Sequence, residues 1–119
     1  MQEIRRYQVR LLVRAKADMA EIEDYYINEG SKEVALKIIE RITDDLQILR
    51  DYPWVGRPFR RQEQRLFPVY GGRYVAAYII DEEKLLVKIV GLPRAESDWM
   101  RHLNYYFRIR SNRIRAGRK

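Results

Sequence analysis

Tyr7, Val9, Leu11 and Val13 alternate with Gln8, Arg10 and Leu12, a two-residue period that predicts an amino-terminal strand over residues 7–13. The period then changes. Met19, Ile22 and Tyr26 share one face at helical spacing, Asp18 reads as an N-cap with Glu21 completing a capping box, and Gly30 is placed to end the helix in a left-handed conformation. Ser31 can cap a second helix, in which Ala35, Ile38, Ile39, Ile42, Leu46 and Leu49 form the clearest apolar stripe of the chain. So short a link forces an antiparallel helical hairpin, whose joint apolar seam must cover a sheet. Pro53 stops the second helix, and the following DYPWVGRPFRRQEQR, rich in proline and arginine, predicts a loop or irregular connection.

From Arg65 to Arg94 the sequence RLFPVYGGRYVAAYIIDEEKLLVKIVGLPR predicts three consecutive antiparallel strands. Gly71-Gly72 tolerates the positive φ of a tight hairpin between 66–70 and 73–80, and the polar Asp81 to Lys84 returns the chain into a strand over 85–90. In the middle strand Tyr74, Ala76, Tyr78 and Ile80 point one way and Val75, Ala77 and Ile79 the other; both sets are apolar, so this strand is central and covered. The core expected between hairpin and sheet comprises Ile38, Ile42 and Leu46 with Val75, Ala77 and Ile79. Residues 95–107 predict a third helix, with Trp99, Leu103, Tyr106 and Phe107 on one side. The whole is an α+β fold: amino-terminal strand, antiparallel two-helix hairpin, three-stranded antiparallel meander and carboxy-terminal helix. The sheet is expected to be four-stranded, with the amino-terminal strand parallel to one strand of the meander.

Charge changes the picture only once it is located. The chain has 119 residues and a net charge of +7. All 17 acids precede residue 99 and are balanced there by as many bases, so the whole excess resides in Arg101, Arg108, Arg110, Arg113, Arg115, Arg118 and Lys119. We therefore expect one domain over 1–107 and a basic tail over 108–119. Within the neutral body, residues 18–51 sum to −6. Cysteine is absent and His102 is the one histidine, which leaves no disulfide framework, no cysteine or histidine metal cluster, and no motif for a Ser-His-Asp triad. No cofactor or metal is expected. Neither a signal peptide nor an apolar run of membrane-spanning length is present, so the chain is expected to be cytoplasmic and away from membranes.

The usual nucleotide, zinc and redox signatures are missing, and the adjacent acids Asp44-Asp45 and Glu82-Glu83 do not converge as a general acid–base pair would. What remains is arginine with aromatics: Arg65, Arg73, Tyr74, Tyr78, Arg94 and Trp99. Guanidinium groups fork onto phosphates and aromatics stack on bases, so the set suits RNA binding, or cleavage by charge stabilisation. Equally, the arginines suit solvated strand ends and the two tyrosines a core.

Several local patterns are similar to those of a known group. They are Ala17-Asp18 with Ile22, the segment LRDYPWVGR at 49–57, Arg65 followed by Phe67-Pro68, Gly72-Arg73-Tyr74-Val75 with Tyr78, Gly91 to Arg94, and Trp99. With the order of elements, they resemble the RelE/ParE superfamily of type II toxin–antitoxin toxins over about residues 7–103, and the ParE (plasmid-stabilisation) branch in particular. The resemblance to that branch implies a toxin that inhibits DNA gyrase by binding and is neutralised by a cognate antitoxin. The RelE branch would imply an mRNA endoribonuclease working on the ribosome, with Arg65, Arg73, Tyr78 and Arg94 as its candidate catalytic residues. That branch carries an arginine after the aromatic of its Gly-x-Tyr-Arg pattern, where this chain has Val75, and basic groups where it has Leu66 and Pro68. Candidate target-binding residues are then Arg65, Arg73, Arg94, Trp99, Arg108, Arg110, Arg113 and Arg115, with no catalytic residue required. The basic tail departs from the group's usual pattern, and a small basic nucleic-acid-binding module is the third possibility.

Overall fold

The structure, a computed structural model, describes residues 6–96 together with Leu103 and Phe107. Strand β1 (Gln8–Leu11) leads directly into helix α1 (Val13–Glu29), which is followed by helix α2 (Lys32–Asp51). A short 3-10 turn (Pro53–Val55) then precedes β2 (Arg57–Phe59), β3 (Arg61–Val69), β4 (Tyr74–Asp81) and β5 (Leu86–Gly91). The five strands form one sheet in the order β1-β5-β4-β3-β2. β1 runs parallel to β5, as the helical crossover permits, and the other pairings are antiparallel. No helix among the described residues is long and apolar enough to cross a membrane.

Ser31 caps α2 as expected: its hydroxyl accepts from Val34 N–H at 3.2 Å, and Ala35, Ile38, Ile42, Leu46 and Leu49 form the buried stripe. α1 begins earlier than its sequence signal. Leu12 occupies the N-cap position without a side-chain bond, and Asp18 lies inside the helix on its buried face with Ala15 and Ile22. There the Asp18 carboxylate accepts from Leu92 N–H at 2.9 Å and pairs with Arg14 at 3.5 Å, tying α1 to the chain leaving β5. The capping pattern misled because a tertiary donor, distant in sequence, claims the aspartate. Gly30 does end α1, but at φ −138° and not in the left-handed region.

The segment expected to be loop supplies a fifth strand. Pro58 cannot donate a ladder bond, which disguises β2 in the sequence, yet β2 is an edge strand of three residues, where proline is tolerated. Arg60, at φ 65°, turns the chain sharply back into β3. The next hairpin passes through Tyr70, Gly71 and Gly72, all at positive φ, with Val69 and Tyr74 as its last paired residues.

The two faces of the sheet are the reverse of the expected assignment. Ile38, Ile42 and Leu46 pack with Tyr74, Ala76, Tyr78 and Ile80, together with Val87 and Ile89 of β5. Val75 and Ala77 belong to the opposite face, buried with Leu66, Val90, Leu103 and Phe107. Alternation alone leaves the side undecided. The hydroxyls decide it, because Tyr74 finds Tyr26 of α1, and Tyr78 finds the turn after α2. At the carboxy-terminal end of the description, Ala95 and Glu96 form a turn. The remainder of the helix expected over 95–107 lies outside the described residues apart from Leu103 and Phe107, both buried.

Candidate functional site

The sheet offers three settings, and the expected site residues that are described fall into the first and the third. Arg65 lies on the helix-facing side of β3 beside Tyr78, its ladder partner on β4. Its Nε donates to Gln62 O at 2.7 Å, Nη2 to Gln62 Oε1 at 2.8 Å, and Nη1 to the carbonyls of Gly56 at 2.9 Å and Trp54 at 3.4 Å. The guanidinium also stacks on the Trp54 ring, 4.9 Å from its centroid. Only 9% of the residue is exposed. Tyr78 is fully buried, its hydroxyl donating to Pro53 O at 2.8 Å and accepting from Gly56 N–H at 3.0 Å. Burial pushes the Tyr78 phenol up to about 12, against the opposing pull of Gly56 N–H and the nearby Arg65. Glycine is required at 56, since a Cβ there would sit 2.5 Å from that hydroxyl and 2.7 Å from Leu66 O. Both side chains therefore hold the 53–56 turn against the sheet.

The second setting is the face of the sheet turned away from the hairpin. Val75 is buried there beside Leu66 and Ala77, and Phe107 stacks on Phe59 at 5.6 Å between centroids. Next to this cluster is an apolar groove of about 500 Å³, walled by Val55, Gly56, Leu66, Phe67, Pro68 and Val75, with Arg57 as its one cation among the described residues. Charge stabilisation of a scissile phosphate needs several fixed cations, and this wall presents mainly hydrocarbon.

Arg73 and Arg94 come together in the third setting, a recess at the margin of the helix-facing side. A β-bridge pairs Tyr74 with Arg94, and Ala95 N–H donates to Arg73 O at 2.8 Å, so backbone bonds set the two arginines side by side. Arg94 stacks on Tyr25 of α1 at 5.5 Å and meets the Glu96 carboxylate at 3.9 Å. Arg73 lies over the Tyr70 ring at 5.7 Å, and Arg41 of α2 approaches the same ring at 5.3 Å. A hydrogen bond with Tyr26 holds the Arg73 guanidinium above its already high ordinary value, so it stays charged at any working pH. Burial, reinforced by the Tyr26 hydroxyl 3.4 Å away, moves the Tyr74 phenol well above the ordinary tyrosine range, so it stays neutral. The sequence reading missed Tyr25, Tyr26, Tyr70 and Arg41. The one local hint was a tyrosine directly before Gly71-Gly72, where a tight turn lifts a ring to the surface. Trp99, Arg108, Arg110, Arg113 and Arg115 lie outside the described residues. Among the described residues no group of acids, histidines or cysteines gathers that could hold a metal.

Comparison with known families decides the kinship. Residues 9–99 match the model of the ParE toxin of the type II toxin–antitoxin system parDE. The chain belongs to the ParE toxin family. A cognate antitoxin is accordingly the partner that membership implies. Among solved structures, the ParE-family chain is similar to one from the chromosomal ParDE system of P. aeruginosa, with TM-score 0.67 and 22% identity over 76% of this chain and 97% of that one. It is also similar to a chain of the RelBE2 toxin–antitoxin complex of Mycobacterium tuberculosis, with TM-score 0.52 and 24% identity over 81% of this chain and all of that one. A substituted E. coli RelE toxin in its free state gives TM-score 0.58 and 16% identity over 78% of this chain and 87% of that one. At these identities the structures establish the shared fold. No curated protein matches the ParE-family chain in sequence.

Proposed function

We propose that this ParE-family toxin acts by binding, that its target is DNA gyrase in the cytoplasm, and that its cognate antitoxin restrains it. The observation that carries the reading is the burial of Val75. At the position where the RelE-type pattern would place an arginine, this chain has a residue packed against Leu66 and Ala77. A ribonuclease built this way would lack a cation where charge accumulates on the phosphate, and removing one such donor costs ~10²-fold or more in rate. Inhibition by binding has no such requirement. The contacts for the target are then the exposed Arg73 and Arg94, together with Trp99 and the tail arginines Arg108, Arg110, Arg113 and Arg115, while Arg65 supports the 53–56 turn.

The test is plasmid supercoiling by purified gyrase, run beside ribosome-dependent mRNA cleavage. Inhibited supercoiling with intact mRNA is the expected result. Cleavage at codon positions with gyrase unaffected would favour the RelE-type enzyme, and inactivity in both assays would point to the nucleic-acid-binding module.

A further inference from the structure

The recess between Arg73 and Arg94 is small, about 120 Å³. That is ample for one oxyanion, since a single water needs only ~10–15 Å³ on the same measure. Rings hold its cations in place: Tyr25 beneath Arg94 and Tyr70 beneath Arg73, with Tyr26 edge-on to both rings, at 4.9 Å from Tyr25 and 6.3 Å from Tyr70. Such stacking leaves the guanidinium edges as donors while restricting the side chains, so little freedom remains to be lost on binding.

One carboxylate already approaches this site from the chain itself. Glu96 sits 3.9 Å from Arg94 with its side chain 88% exposed. An ion pair that long and that exposed contributes little, so a better-placed anion can replace it. The surroundings then discriminate between kinds of anion. The helical hairpin, residues 13–51, sums to −4, and α1 brings Glu29 to the recess wall. With a screening length of ~8–10 Å, phosphates strung along a nucleic acid would meet this acidic hairpin within range of repulsion. A single carboxylate seated in the recess meets both guanidiniums and takes the place that Glu96 holds beside Arg94.

We propose that Arg73 and Arg94, on their tyrosine supports, form a docking pocket for one carboxylate side chain of an acidic protein segment. The pocket deepens the binding function proposed above and rests on it for the existence of a protein partner. Its test contains no gyrase, so the two can fail separately.

The full chain, labelled at arginine side chains, is titrated by NMR with acetyl-Phe-Glu-Leu-amide, its Gln and Lys counterparts, inorganic phosphate and a short oligothymidylate. The Glu peptide should shift the Nε–Hε signals of Arg73 and Arg94 saturably, binding about tenfold more tightly than the Gln peptide, as loss of one charge-assisted hydrogen bond implies. In Arg94→Glu the preference should reverse toward the Lys peptide, a gain that a folding defect cannot imitate. Equal binding of the Glu and Gln peptides, no saturable shift, or no reversal in Arg94→Glu would overturn the pocket. So would tighter binding of phosphate or oligothymidylate at the same two signals, which would assign it to nucleic acid instead.

Discussion

Arg65 and Arg73 flank the same apolar strand pair, and as sequence they are alike: basic residues bracketing a buried centre. In the fold they differ. Arg65 faces a turn and donates to its carbonyls at Trp54 and Gly56 from a nearly buried position. Arg73 lies in the hairpin turn, where the ladder has ended, and its side chain rests on an aromatic ring at the surface. The role of an arginine at a sheet margin is thus set by whether a neighbouring turn brings carbonyls within its reach. One builds the fold; the other is, in the proposed reading, a contact for the target.

The largest effect expected from this contrast is at Arg65. Its replacement by Ala removes charge-assisted bonds from two backbone carbonyls and from Gln62, and should destabilise the protein by about 2–3 kcal/mol, measurable by urea denaturation. A loss under about 0.5 kcal/mol would show that the turn does not depend on this side chain. Tyr78→Phe comes next, at about 1–2 kcal/mol, because Pro53 O and Gly56 N–H lose their common partner. This variant also carries a pH signature. The Tyr78 phenol is raised in the fold from 10.0 to about 12, so its contribution is fully present below pH 10 and is lost as pH rises to about 12. The alkaline fall in stability over that window should therefore be shallower in Tyr78→Phe than in the parent, and identical curves would contradict the buried, internally bonded phenol. Smallest is the effect of Arg73→Ala on stability, with a urea midpoint close to that of the parent, since an exposed cation–π contact contributes little. A loss as large as that of Arg65→Ala would erase the distinction between the two arginines.

Much of this architecture was legible in advance because it depends on local periodicity. The stripe from Ala35 to Leu49, the Ser31 cap, the return of the chain at Gly71-Gly72 and the parallel placement of β1 all follow from spacing and connection length. What escaped depends on partners far away in sequence. Asp18 looks like a cap until Leu92 N–H is brought to it, and β2 looks like loop because its pairing with β3 is hidden behind Pro58. The faces of β4 were reversed because alternation defines two sides without saying which one the hairpin covers. For the site, Arg73 and Arg94 were identifiable as basic residues at strand ends. Their tyrosine supports were not, since Tyr25, Tyr26 and Tyr70 meet only after α1 has crossed back over the sheet.

The central claim, that one arginine serves the fold while the exposed pair serves the target, is tested most directly by titrating gyrase supercoiling with the parent and with Arg73→Ala/Arg94→Ala. The double variant should melt within a few degrees of the parent yet require about tenfold or more protein for half-inhibition, the equivalent of losing at least one charge-assisted contact. Equal inhibition by the two folded proteins would contradict it.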